Sequence, residues 1–205
     1  MNAYKFVHDA FLGIVKLIYR MKVVGAENEP TDRAVLVCSN HISAADAVLI
    51  SAATKRQICY MAKKELLKVP LLGGFLRSLG VFSVDRSGKD VGAVKKAISL
   101  LKSGTSVGIF PQGTRHPGEE PRGTELKNGA AMIATKAGVD ILPVYIHRKN
   151  NTPKLFRKTT VVIGKPIKLS DFNYDREASG EYTRIVNIIF DEVCKLGEGI
   201  EKCEK

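Results

Sequence analysis

Two hundred and five residues, 44% of them hydrophobic, carry 32 Lys and Arg against 21 Asp and Glu, a formal charge of +11. That length suits one domain with a sizeable core, and so many apolar residues exclude a disordered basic tail. The surplus charge therefore belongs on the surface of a folded body, facing something anionic: nucleic acid, a phosphorylated metabolite or acidic lipid.

Residues 1–20 read as an amphipathic helix, with Tyr4, Val7, Phe11, Ile14, Val15 and Ile18 on one stripe and Phe6, Leu12 and Leu17 widening it. Such a stripe either packs on its own core or dips into lipid headgroups. Asp9 and Lys16 interrupt any reading as a signal peptide, and no small-residue cleavage site follows. No run approaches the roughly 20 apolar residues of a spanning helix, so peripheral docking is the expected membrane mode.

Residues 21–205 read as a single domain. Apolar runs of strand length are Ala34–Cys38, Gln57–Met61, Val81–Val84, Ser106–Phe110, Ile141–Ile146 and Thr160–Ile163. They lack strict alternation, which predicts strands covered on both faces. Helical patterns lie between and after them at 44–53, 90–102, 127–137 and 181–196. The expected fold class is α/β: a largely parallel mixed sheet flanked by helices. The four cysteines, Cys38, Cys59, Cys194 and Cys203, show no C-x-x-C spacing, so neither a disulfide framework nor a zinc site is expected.

In such a sheet ligands gather at the carboxyl ends of the strands. The first strand is followed by Asn40-His-Ile-Ser-Ala-Ala-Asp46. Ser43 and Asp46 fit a helix N-terminal capping box, which leaves His41 unexplained. Positions five apart diverge by about 140° on a helix, so His41 and Asp46 can meet only if His41 sits in the turn and Asp46 in the first helical turn. The carboxylate would then hold one imidazole nitrogen and leave the other as a base. The alternative is a purely structural histidine.

A second strand ends in Phe110-Pro-Gln-Gly-Thr-Arg115, where Pro111 and Gly113 force a tight turn and Thr114 and Arg115 supply donors. Beside the first cluster this reads as an anion site, for which the guanidinium fork is suited. Lys63 and Lys64 follow another strand, and Arg86 the next. There is no G-x4-G-K-[ST] and no G-x-G-x-x-G.

Together these blocks resemble the glycerolipid acyltransferases, in particular the 1-acylglycerol-3-phosphate acyltransferases. That family shows N-H-x-S-x-x-D, here Asn40, His41, Ser43 and Asp46, and F-P-E-G-T-R, here Phe110, Pro111, Gly113, Thr114 and Arg115. Between them, Lys64, Glu65, Leu66, Gly80, Asp85 and Arg86 match its K-x-E-L and G-x-x-x-V-D-R region, and Ile141-Leu-Pro-Val144 matches its downstream strand. The resemblance implies that His41 is the general base on the 2-hydroxyl of a lysophosphatidate, with Asp46 orienting the ring. Arg86, Arg115 and Lys64 would hold the acceptor phosphate, and Gly113, Thr114 and Gln112 would position substrate or stabilise the oxyanion. The acyl donor would be acyl-CoA or acyl carrier protein, with no metal or cofactor, and the protein would sit peripherally on the cytoplasmic face of the cell membrane, on an anionic surface.

The departure is Gln112, where the family has Glu; an amide keeps the size and one acceptor oxygen but loses the charge. It leaves another acceptor open, such as glycerol 3-phosphate or a lyso-amino-acid lipid. A nucleic-acid-binding domain would explain the charge, but Trp is absent and no recognised motif is present. A non-catalytic lipid adaptor gives His41 and Asp46 no purpose.

Overall fold

A computed structural model describes residues 3–63, 67–69, 73–74, 77, 80–84 and 91–203. Arg86, Lys64, Glu65, Leu66 and Asp85 lie outside the described residues.

The chain begins with helix α1 (Ala3–Ile18) and strand β1 (Met21–Val24). There follow β2 (Leu36–Ser39), α2 (Asp46–Ala53), β3 (Ile58–Lys63), β4 (Phe82–Val84), α3 (Val91–Lys102) and β5 (Ser106–Ile109). The remainder is α4 (Gly129–Ala137), β6 (Ile141–His147), β7 (Thr159–Ile163) and α5 (Glu181–Cys203). The seven strands form one sheet in the order β1-β7-β6-β2-β5-β3-β4, parallel throughout except for the antiparallel β6–β7 pair. The α/β expectation therefore holds. β1, outside the six apolar runs, is the additional strand: its Met-Lys-Val-Val alternates half-buried and exposed because it forms an edge beside β7.

Why the apolar runs fail to alternate is visible in the two cores. Leu36 and Cys38 of β2, Ile141 and Tyr145 of β6 and Val162 of β7 pack on one face with Ala97 and Leu101 of α3, Ile133 of α4 and Ile185 and Ile189 of α5. Their neighbours Val37, Leu142, Val144, Ile146, Val161 and Ile163 pack on the other face with Leu49 and Ile50 of α2 and Val15 of α1. The central strands are thus mostly apolar on both faces, as a sheet sandwiched between helix layers requires. Fully burying one such aliphatic side chain is worth about 1.5–3 kcal/mol.

Helix α1 divides its apolar stripe. Val15 is buried against the sheet and α2, whereas Ile14, expected on the same stripe, is 53% exposed and Leu17 is 77% exposed. A helix lying on one side of a domain can bury only part of so wide an apolar face.

The topology sets the position of the site. From β2 the chain crosses through α2 to β3, on the β5 side of the sheet, and from β5 it passes through α4, on the opposite face, to β6 on the other side of β2. The connections diverge at the carboxyl end of β2, which is where a crevice opens in such sheets.

Candidate active site

The chain leaves β2 by a side-chain continuation of the ladder. Asn40, fully buried, accepts the N–H of Ile146 at 2.8 Å and donates to its carbonyl at 3.1 Å, as a paired backbone peptide would. This fixes the end of β2 to β6 while the backbone turns away, and the next residue is His41.

The turn is closed by Asp46. Its Oδ2 accepts the backbone N–H groups of Ile42 and Ser43, each at 2.7 Å, and faces His41 Nδ1 at 3.0 Å. The capping box forms in part. The acidic side chain reaches back to Ser43 N–H, but the Ser43 hydroxyl accepts from Ala45 N–H at 3.2 Å, while Asp46 N–H goes to the Ser43 carbonyl. Asp46 begins α2, with no exposed surface. Oδ2 already accepts two backbone N–H groups and meets Nδ1 as an acceptor in the tautomer that puts the proton on Nδ1, which leaves Nε2 its lone pair. No described residue hydrogen-bonds Nε2, and the His41 side chain is 19% exposed. A buried acid, an oriented imidazole and an open Nε2 are the arrangement a general base needs.

The ring is held on its flat side as well. Phe110, just past β5, stacks on it with centroids 3.9 Å apart and planes 12° from parallel, and Tyr60 of β3 stacks on Phe110 in turn at 6.1 Å. Gly108 of β5 makes room for this stack: a Cβ there would lie 2.1 Å from Tyr60 Cε1.

Gln112 performs a task the sequence does not reveal. It is buried, its Oε1 accepts the backbone N–H of His41 at 2.7 Å and its Nε2 donates to Thr124 Oγ1 at 2.8 Å. The amide ties the second motif to the first. Gly113, at φ +70°, makes the tight turn by donating its N–H to the Phe110 carbonyl at 2.9 Å. His116 N–H then donates to the His41 carbonyl at 2.8 Å, so the backbone of Thr114 and Arg115 passes alongside the dyad. Both side chains are exposed, and Arg115 makes no hydrogen bond or ion pair with any described residue. The structure thus gathers His41, Asp46, Gln112, Gly113, Thr114 and Arg115 at one edge.

One residue escaped the sequence reading. Arg148, the first after β6, is buried and its Nη2 lies 3.9 Å from Asp46 Oδ1, the carboxylate oxygen that accepts no hydrogen bond. Burial pushes the guanidinium below its ordinary range, and the Asp46 charge pulls it back. The legible signal was its place at the carboxyl end of the strand bearing the Ile-Leu-Pro-Val run. The buried thiols of Cys38 and Cys194 are pushed upward by desolvation, the latter to about 12, so neither is an activated nucleophile.

An α/β sheet that presents a carboxylate-oriented histidine beside an arginine-bearing turn is suited to base chemistry on an anionic substrate. The chain belongs to the Acyltransferase family, whose profile matches residues 20–147, and within it to the 1-acyl-sn-glycerol-3-phosphate acyltransferases. It is 35% identical to the 1-acyl-sn-glycerol-3-phosphate acyltransferase of Bacillus subtilis, an alignment covering 82% of this chain and 84% of that one. It is 35% identical to the enzyme of that name from Streptococcus pneumoniae, over 82% of this chain and 62% of the relative. The crystal structure of the 1-acyl-sn-glycerophosphate (LPA) acyltransferase PlsC from Thermotoga maritima superposes with a TM-score of 0.70 at 27% identity, covering 100% of this chain and 84% of that one.

Proposed function

We propose that this acyltransferase moves a fatty acyl group from a thioester, acyl-CoA or acyl-acyl carrier protein, to the 2-hydroxyl of 1-acyl-sn-glycerol 3-phosphate, giving phosphatidic acid. The observation that carries the reading is the 3.0 Å contact between His41 Nδ1 and Asp46 Oδ2, which leaves Nε2 as the base. Nε2 takes the proton of the acceptor hydroxyl as its oxygen attacks the thioester carbonyl. The tetrahedral intermediate collapses with cleavage of the C–S bond, and the imidazolium returns the proton to the departing thiolate. The acyl group passes directly between substrates, with no acyl-enzyme.

In this reading the exposed guanidinium of Arg115 binds the acceptor phosphate, together with Arg86 and Lys64. Backbone N–H groups of the Gly113 turn face the developing oxyanion. Gln112 contributes indirectly: its amide already holds His41 and Thr124, so it serves the base rather than a glycerol hydroxyl. The thioester supplies the activated acyl group, and the scheme calls on no metal or cofactor. Among the described residues no helix is long and apolar enough to cross a membrane. We place the enzyme peripherally on the anionic inner face of the cell membrane, where its acceptor resides.

Purified protein assayed with lysophosphatidate, glycerol 3-phosphate and lyso-amino-acid lipids, against both thioester donors, tests the assignment. Lysophosphatidate should be acylated fastest. Preference for another acceptor would move the substrate while leaving the chemistry in place.

A further inference from the structure

Beyond Arg148, the segment joining β6 to β7 is not used by the reaction, yet it has three unusual features. First, it forms an open cavity of about 670 Å³ at the carboxyl end of β6, lined by Arg148, Lys149, Lys154, Arg157 and Lys158, with no acidic side chain among the lining residues. Second, the same segment carries Leu155 and Phe156 at 59% and 69% exposure. Third, Phe156 adopts φ +57°, a left-handed conformation unfavourable for a bulky residue, and is held there by donating its N–H to the Ile18 carbonyl at 3.0 Å. An unfavourable backbone conformation thus coincides with an aromatic side chain left in water.

That hydrogen bond joins the loop to the end of α1, where Ile14 and Leu17 are also exposed and Lys16 and Arg20 flank them. Thr159 N–H repeats the tie, donating to the Tyr19 carbonyl at 3.1 Å. Two separate chain segments thus present apolar side chains from one junction, bordered by basic ones. A soluble phosphate would be served by the lysines and arginines and would have no use for Leu155 and Phe156. An anionic bilayer uses both, the apolar side chains entering the acyl boundary and the cations meeting headgroup phosphates.

We propose that the β6–β7 loop seats the protein on a bilayer rich in anionic lipid, with Leu155 and Phe156 inserted and the basic cavity receiving headgroup phosphate. The loop follows Arg148, which touches Asp46, so a protein seated this way has its catalytic edge next to the lipid surface. The proposal rests on the reading that the acceptor is a lipid, and its test is separable from that reading.

The chain contains no Trp, so Phe156→Trp creates a single indole reporter at the loop. Phosphatidylglycerol vesicles should shift its emission to the blue and bring it within reach of brominated acyl chains. Phosphatidylcholine vesicles and inorganic phosphate should do neither. Each basic residue at an anionic surface is worth a factor of roughly five, so removing two charges with Lys154→Ala/Arg157→Ala should weaken sedimentation with phosphatidylglycerol vesicles about thirtyfold. Leu155→Ser/Phe156→Ser should also release the protein. Acyl transfer to a detergent-dispersed acceptor should be unchanged in both double variants, whose exposed positions spare the fold. Unshifted emission, or variants that sediment like the parent chain, overturns the proposal. So does a raised KM for acyl-CoA in detergent, which would give the cavity to the donor's phosphates. If detergent assays show no acyl transfer even by the parent chain, the reading of the reaction fails, and the vesicle result stands on its own.

Discussion

Asp46 and Arg148 face one another behind the imidazole, Oδ1 to Nη2 at 3.9 Å, both without significant exposure. The carboxylate that orients His41 on one oxygen is therefore balanced on the other by a guanidinium delivered from the neighbouring strand. Removing one partner of a buried pair leaves an uncompensated charge, which costs about 3–5 kcal/mol in well-formed cases. Arg148→Met should fall toward the lower end, because the pair is separated by more than a hydrogen bond. Chemical denaturation gives the stability loss, and the kcat of the folded fraction should drop as Asp46 loses its fixed environment.

Asp46 itself cannot be altered cleanly. The same Oδ2 closes the turn through Ile42 and Ser43, so Asp46→Ala should lower stability together with activity. Thermal melting beside the rate assay will show both losses, whereas His41→Ala should show only the second.

Gln112 accepts the His41 N–H and donates to Thr124. Gln112→Ala leaves that N–H without its partner and should cost about 1–3 kcal/mol, with a fall in kcat as the base loosens. Gln112→Glu retains the acceptor oxygen and should keep most of the activity, Thr124 turning its hydroxyl proton from the Pro121 carbonyl toward the carboxylate. Denaturation midpoints and kcat for the two variants check the difference.

Arg115 is exposed, with no partner among the described residues, at the same edge as His41. If it binds phosphate equally in ground and transition state, Arg115→Ala raises the acceptor KM and spares kcat. Initial rates over a range of lysophosphatidate concentrations separate the two parameters.

Gly108→Ala would force a Cβ to within 2.1 Å of Tyr60. Overpacking of this kind costs typically about 1–3 kcal/mol. Because Tyr60 backs Phe110 and Phe110 backs His41, activity should fall along with the melting temperature, though position 108 touches no substrate.

The alternation of elements was legible in the sequence because the strands and helices other than β1 carry their own apolar signature. β1 was not placed, since four residues with a lysine among them become a strand only beside β7. The stripe of α1 left the surroundings of Ile14 open for a related reason: periodicity shows which residues are apolar, and tertiary contact decides how much of a wide face is covered. His41 and Asp46 were readable because they lie in one turn. Arg148 was not, because its partner lies 102 positions earlier in the chain and meets it only through the β2–β6 pairing. The tie between Gln112 and the His41 backbone was not readable, because that hydrogen bond has no sequence signature.

The most direct test of the account is acyl transfer from acyl-CoA to 1-acyl-sn-glycerol 3-phosphate by His41→Ala, measured beside its thermal melting curve. A positioned general base contributes about 10²–10⁴-fold, so product formation should fall by at least two orders of magnitude while the melting curve stays close to that of the parent chain. A folded His41→Ala protein that turns over within a few-fold of the parent would contradict the assignment of His41 as the base.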